Sequence, residues 1–393
     1  METGRPEFGL PEGAEELVAV ADIMAQAFAM PPADSVTWVE KVGAANFRVL
    51  RQQGKVVANA VPIPMGQWLG GRRVAMAGIG GVGVAPGARG GGTATRLMQR
   101  VLHELRGQGF PISVLYPATQ PLYRRVGYEQ AGARYEIRVE AHSLDFKERS
   151  LQVRPVEPAD LPVLQELYRR HASTRHGYLD RSPYIWERVF HPRGETAYGY
   201  LVEGPQGAEG YCWLVRRRKA DLLQELFLTD FVASTPAAGR RLLSFFGDHR
   251  SLAREVVWTG GPADPLLLLL REQSYQVKLL FYWMMRVLDV PTALESRGYP
   301  EGVSGTLHLQ VEDDLFPENR GNFTLEVAGG AGRVQRGGKG LIRLDVRALA
   351  PLYTGFLSPE ALRSVGALVA DEASMRLAAT LFFGSLPALP DMF

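Results

Sequence analysis

A single cysteine, Cys212, serves the whole chain of 393 residues. No internal disulfide can form, and a thiolate-bound metal cluster lacks its ligands. Cys212 lies between Tyr211 and Trp213 in a strand-like run, which predicts a buried, inert thiol rather than a nucleophile. The seven histidines do not make up the lack. His171 and His176 do not share a helix face, and neither they nor His191 has close metal-ligand spacing. Surface or local hydrogen-bonding roles are expected of them, and no metal. Charge of one sign is missing too. Lys+Arg total 44 and Asp+Glu 42, a balance that argues against a dedicated nucleic-acid binder. The basic run Arg216-Arg217-Arg218-Lys219 reads as a solvated hairpin end. Long apolar runs are absent: Leu266–Leu270 falls far short of a membrane span. Met1 is followed by acidic and turn-forming residues, not by a basic and then apolar leader. A cytoplasmic protein with neither membrane nor nucleic-acid partner is expected.

What is present is glycine, concentrated behind an apolar strand candidate. Pro86-Gly87-Ala88-Arg89-Gly90-Gly91-Gly92-Thr93-Ala94 has few side chains to offer a ligand, but many backbone N–H groups. Leu97, Met98, Val101, Leu102 and Leu105 then repeat at helical spacing. Free amides at the first turn of a helix, beside an arginine, make a seat for phosphate. The cluster is not a Walker A loop, because no Gly-Lys-Ser/Thr follows, and its spacing is not that of a dinucleotide fingerprint. Taken alone it could also be a flexible turn.

The length asks for two or three hydrophobic cores. In the first segment, helices are predicted over Glu15–Phe28, with Leu17, Val20, Met24 and Phe28 on one face, over Gly92–Arg106 and over Gln120–Val126. Strands are predicted over Phe47–Leu50, Lys55–Ala60, Arg72–Val84, Ile112–Tyr116 and Tyr135–Val139. A second segment, about Leu151–Asp289, repeats the helix, strands, helix, strands order without the glycine cluster. Its strands include Leu222–Leu228, and Phe281–Met285 could be core or an assembly surface. A third segment mixes strands, Leu341–Val346 among them, with the helices Ser358–Val365 and Asp371–Phe382. Its apolar, proline-stiffened tail, Pro387–Phe393, predicts a docked end.

Two motifs in register carry a resemblance. Arg89-x-x-Gly92-x-Ala94 resembles the pyrophosphate loop of the GCN5-related N-acetyltransferases. Leu122-Tyr123-Arg124-Arg125-Val126-Gly127-Tyr128, one helix and one strand later, resembles that superfamily's Tyr-x-x-x-Gly-Phe/Tyr segment. Asp289–Tyr299 resembles the opening of the C-terminal domain of Eis-type acetyltransferases. The resemblance implies an α+β chain with tandem acetyltransferase domains, at 1–148 and 149–289, and a sterol-carrier-like α+β domain at 290–393. It further implies acetyl-CoA as acetyl donor, direct acetyl transfer to a small-molecule or peptide amine, and a homohexamer built as a trimer of dimers.

It also implies a site. Val82, Gly83 and Val84 would hold the pantetheine arm. Arg89, Gly90, Gly91, Gly92, Thr93, Ala94 and Thr95 would take the pyrophosphate, and Ala118 and Thr119 would border the far side of the cofactor. Tyr123 would be the general acid, and the carboxylate of Phe393 the general base. Phe28 and Trp38 would line the amine pocket or simply join the core. A phenol suits the proton needs of a leaving thiolate, and a carboxylate can hold and relieve an ammonium. Tyr128 reads as structural.

One departure bears on the substrate. Aminoglycoside-acetylating members have an acidic residue just before the terminal phenylalanine. Here Met392 stands there, with Asp391 one step earlier, and Ala29-Met30-Pro31-Pro32 supplies no acid. Asp34 and Glu40 could compensate. A less cationic or more apolar primary amine is therefore expected. Two other readings stay open: a lipid-binding or scaffold protein, and a catalytically silent coenzyme A sensor.

Overall fold

Apolar periodicity decides where most elements of the first unit lie. The computed structural model, which describes residues 7–192, 194–219 and 223–393, opens with β1 (Glu7–Gly9), α1 (Gly13–Phe28), α2 (Pro32–Val42), β2 (Arg48–Gln52) and β3 (Lys55–Leu69). Next come β4 (Arg72–Val84), α3 (Thr93–Gly107), β5 (Ile112–Leu115), α4 (Gln120–Arg124) and β6 (Glu129–Glu140). The expected stripe of α3, from Leu97 to Leu105, is buried. It lets the helix cross the sheet and return the chain as β5, parallel to β4. Along α1, Val20 and Met24 face inward, but Phe28 departs from that face and is 47% exposed. The stretch after Pro31, where periodicity predicts no element, forms α2. Pro32 takes its first position, where a missing N–H costs nothing.

The second unit comprises β7 (Gln152–Pro155), α5 (Leu161–Ser173), β8 (Leu179–Asp180), α6 (Pro183–Phe190), β9 (Ala197–Gly204) and β10 (Gly207–Arg218). It continues through β11 (Gln224–Ala233), α7 (Pro236–Gly247), β12 (Ala253–Gly260) and β13 (Tyr275–Val287). The predicted strand start at Leu222 lies outside the described residues. Arg217 and Lys219, at the hairpin end of β10, pair with Glu195 and Glu225. Cys212 is fully buried, and burial raises its thiol well above the usual range.

Both units share one 13-stranded sheet, ordered β1-β2-β3-β4-β5-β13-β6-β12-β11-β10-β9-β7, with β8 on β3. They exchange their last strands: β13 of the second unit separates β5 from β6, and β6 pairs onward with β12. This position explains why the run ending at Met285 is so apolar. Met284 enters the core beneath α3, while Trp283 and Met285 enter the core shared with the third unit. Gly132 lets β6 pass over the Trp283 indole, where a Cβ would come within 2.1 Å.

The third unit contains α8 (Val290–Ser296), β14 (Gly305–Glu312), β15 (Gly321–Ala328), β16 (Ala331–Arg336), β17 (Ile342–Asp345), α9 (Val346–Thr354), α10 (Pro359–Ser364), β18 (Leu368–Val369) and α11 (Glu372–Leu381). Its five strands run β16-β15-β14-β17-β18. The strand predicted to Val346 stops one residue short. The Asp345 carboxylate accepts the Ala348 N–H at 2.9 Å and caps α9 instead. This sheet belongs to one apolar core with the first unit, and the fully buried pair Arg286–Asp313, at 2.6 Å, ties the third unit to β13 of the second.

Candidate active site

β4 and β5 are paired only as far as Ile79 and Leu115. Beyond that point β4 runs on to Val84 along β3, while the chain after β5 turns away at Pro117. The result is a fork with one free strand edge. The Ala85 N–H donates to the Val57 carbonyl on the β3 side, at 2.9 Å. Strand alternation therefore turns the Val84 and Val82 amides toward the open side. Gly81, with φ +55°, carries the bulge that starts this arm, and the Asn59 side-chain amide donates to its carbonyl at 2.8 Å.

The glycine cluster connects the fork to α3. Gly90 and Gly92 have φ of +81° and +75°, a region that favours glycine. No side chain caps α3, and among the described residues the amides of Gly90 through Thr95 make no backbone hydrogen bond. A Cβ at Gly87, Gly90 or Gly91 would meet nothing within 4 Å, so the cradle opens outward. The loop is braced from behind. Thr93 Oγ1 donates to the Ala88 carbonyl at 2.8 Å, and Arg96 donates to the Gly91 carbonyl at 2.7 Å. Arg89 is exposed and donates through Nε to the Val84 carbonyl at 3.1 Å, which leaves the rest of its guanidinium at the mouth. Unpaired amides, the start of a helix and an arginine fit a coenzyme A diphosphate. Ala118 and Thr119 lie exposed on the opposite arm, before α4.

Tyr123 belongs to the same buried cluster as Ile79 and Leu115, the last paired residues of the fork. It is 5% exposed, and burial pushes its phenol up to about 12, so it stays protonated at neutral pH. Tyr128 packs edge-on against it at 5.9 Å and is tied to Ser113 Oγ at 2.7 Å, a structural role.

The tail enters the fork from the other side. Its backbone bridges to β6 at Ala133 and Ala388. The Tyr116 hydroxyl donates to the carbonyls of Leu389 and Asp391 at 2.8 and 2.9 Å. The Phe393 ring lies on Gly78, where a Cβ would come within 2.7 Å of it. The Phe393 carboxyl carbon is 3.4 Å from the Cβ position of Gly80. The Phe393 carboxyl carbon thus sits just beyond the last paired residue of β4.

What holds it there escaped the sequence reading. Arg181, with its side chain 1% exposed, binds Asp391 at 2.9 Å and Asp230 at 2.5 Å. It lies 3.7 Å over the Tyr168 ring, and Tyr211 donates to Asp230 at 2.6 Å. An arginine buried in the second unit therefore clamps the tail two residues before its end. A partial signal existed in Asp391 itself, an acid within an otherwise apolar tail.

A cavity of about 770 Å³ lies between α2 and α6. Trp38 lines it, and the indole tip reaches within 2.7 Å of the Cβ position of Gly81, beside the fork. Asp34 and Glu187 face it, but so do Lys41 and Arg188. Glu40 and Phe28 do not line this cavity. Of the histidines expected to take surface or local hydrogen-bonding roles, His171 and His176 are half-buried, and His176 takes the second role. His171 lines a cavity in the second unit, and His176 Nε2 accepts the Gly70 N–H at 3.1 Å. Burial lowers both to about 4.

A forked sheet with an open amide cradle suits an acyltransferase that uses acetyl-coenzyme A, and the likeness to known proteins establishes that class. Acetyltransferase (GNAT) domain families match residues 12–131 and 177–287, and a sterol carrier protein domain family matches residues 290–390. A crystallised GCN5-related N-acetyltransferase from Anabaena variabilis is 40% identical over 99% of this chain and 100% of its own, with a TM-score of 0.95. One from Kribbella flavida is 32% identical over 99% of each chain, with a TM-score of 0.84. The chain belongs to the GCN5-related N-acetyltransferase family. Within it, the N-acetyltransferase Eis of Mycobacterium tuberculosis is 25% identical over 299 residues, covering 71% of this chain and 70% of that protein.

Proposed function

We propose that this enzyme transfers acetyl from acetyl-CoA to a primary amine by direct attack, with Tyr123 as general acid and the Phe393 carboxylate as general base. The observation that carries this reading is the position of the carboxylate at the fork, held by the Arg181–Asp391 clamp. Acetyl-CoA, when bound, supplies the activated acyl group. The amides from Gly90 to Thr95, with Arg89, hold the diphosphate, and Val82, Gly83 and Val84 line the arm leading to the fork. The Val82 N–H stabilises charge developing on the acyl oxygen. The Phe393 carboxylate receives the ammonium and draws off its proton, directly or through water. The Tyr123 hydroxyl holds the proton that the departing sulfur needs. No covalent enzyme intermediate is required, in keeping with the inert Cys212.

The acceptor enters along the Trp38 cavity. Its mixed charges, two acids against two bases, favour an amine with one positive charge and an apolar body over a polycation. The third unit serves as a bracket that carries the tail, rather than as a lipid carrier, because the apolar face of its sheet is covered by its own helices α8, α9 and α11, of which α8 and α9 join it to the core of the first unit. The same reading gives a cytoplasmic homohexamer as the working form, and native mass spectrometry should then find the mass of six chains.

The deciding experiment removes Phe393, or adds one residue beyond it, and measures turnover and acetyl-CoA affinity separately. The expected result is a kcat loss of roughly 10²–10⁴-fold with affinity unchanged. Turnover unchanged from the parent chain in both variants would reject the terminal base. An amine panel of monoamines, polyamines, lysine peptides and aminoglycosides ranks acceptors, and a clear aminoglycoside preference would overturn the charge argument.

A further inference from the structure

The second unit repeats the crossover of the first. β11 and β12 are parallel, joined through α7, and paired only from Gln224–Ala253 to Phe227–Val257. Beyond that point they diverge, and a cavity of about 390 Å³ occupies this second fork. Aromatic side chains of Tyr178, Phe231 and Trp258 wall it, and Ala388 and Pro390 of the tail close one side.

This fork cannot seat a diphosphate. Thr235 Oγ1 accepts the Ala238 N–H at 3.1 Å, so the first turn of α7 is already capped. The Thr235 hydroxyl donates in turn to Glu209 at 2.6 Å, which puts a carboxylate where phosphate charge would fall. No glycine cluster precedes the helix.

The polar lining can be sorted by what is already engaged. Arg181 is committed to Asp230 and Asp391. Asp264 accepts the indole N–H of Trp258 at 2.8 Å and the Leu266 N–H at 3.0 Å. His176 is engaged with Gly70. Besides the exposed Ser385 hydroxyl at the rim, three groups remain. The Arg175 side chain has no hydrogen-bond or ion-pair partner among the described residues, and its Nε is buried. The Tyr178 hydroxyl and the His171 ring make no hydrogen bond there either, although both line the cavity. Burial, the Arg175 charge and Arg181 hold His171 neutral, against the opposing pull of Asp230.

An unpaired guanidinium in an aromatic cavity suits a planar anion held by two parallel hydrogen bonds. Asp230, Asp264 and Asp391 make a second negative charge on the ligand unfavourable. The cavity size fits a small organic molecule. We propose that the second fork is a binding site for a small monocarboxylate with an aromatic or branched apolar body, its carboxylate on Arg175 and its body against Trp258 and Phe231.

The test uses the full chain without acetyl-CoA. Benzoate, phenylacetate and 4-methylpentanoate are titrated calorimetrically, with phenylacetamide as the uncharged control. At least one acid should bind saturably, and phenylacetate should bind roughly tenfold or more tightly than its amide, the worth of a charge-assisted hydrogen bond. Arg175→Met and Arg175→Gln should each abolish that preference. Trp258→Phe should remove any fluorescence quenching that accompanies binding to the parent chain. No saturable binding of any acid, equal affinity for acid and amide, or full acid preference in both Arg175 variants would overturn the site. Because the readout is binding, its failure is distinct from failure of the acetyl-transfer reading.

Discussion

At the first fork, α3 opens on Gly92 with its leading amides unpaired, and Arg89 stands at the mouth. At the second, α7 opens on Thr235, which caps its own helix and carries Glu209 beside it. The strands diverge in the same way, after four and after three continuous parallel pairs, respectively. A forked crossover thus makes a cleft by itself. What the cleft accepts depends on the few residues where the helix begins. In one unit they leave backbone donors free for a diphosphate; in the other they consume those donors and repel a diphosphate, so that a side chain, Arg175, is left to meet a single carboxylate.

The largest expected effect belongs to the first fork. Tyr123→Phe should lower kcat by roughly 10²–10⁴-fold while leaving acetyl-CoA affinity in place, measured by steady-state kinetics beside equilibrium binding. A near-parental rate would reduce Tyr123 to packing and bring the two forks closer in kind. Next comes the clamp between them. Arg181→Met leaves Asp230 and Asp391 buried without a counter-charge and should cost about 3–5 kcal/mol in urea unfolding, with a fall in kcat as the tail loosens. Unchanged stability would mean that the clamp is idle.

Smaller effects separate the two helix starts. Gly91→Asp places a carboxylate in the open cradle and should weaken acetyl-CoA binding by about 1 kcal/mol or more, read by calorimetry. Thr235→Ala removes the cap of α7 and should cost about 1 kcal/mol of stability without changing acetyl-CoA affinity. If both substitutions weakened acetyl-CoA alike, the contrast between the forks would fail. A further effect is in pH. His171 takes a proton near its ordinary 6.5 when unfolded but only at about 4 when folded. Protons therefore favour the unfolded chain as pH falls from 6.5 toward 4. Melting temperatures should drop across that window, and less steeply in His171→Asn.

Local pattern made much of the first fork readable. β4 spans Arg72–Val84 as predicted, and α3 begins within one residue of the expected start because glycine ends one conformation and an apolar stripe begins the next. The cradle was legible for the same reason: its chemistry is backbone, and a run of glycines announces backbone. Helix α6 left a signal that went unused, since Ser182-Pro183 precedes Tyr184, Ile185, Trp186 and Val189 at helical spacing. Helix α9 was hidden by the alternating strand pattern of Ile342, Leu344 and Val346, which runs into its first residue, and by Pro351 within it. The Arg181 clamp joins residues 210 positions apart. Nothing in a local window marks one arginine among many as the buried one. The strand exchange is equally remote, because β13 alternates like any covered strand and says nothing of its neighbours.

That exchange limits how this enzyme can move. With β13 wedged between β5 and β6, and β6 continuing onto β12, rotating one half against the other would tear ladders on both sides at once. A clamshell motion is closed to it. Substrates must gain entry through rearrangements of rotamers and short connectors at the rim, on a scaffold whose two lobes are woven rather than hinged.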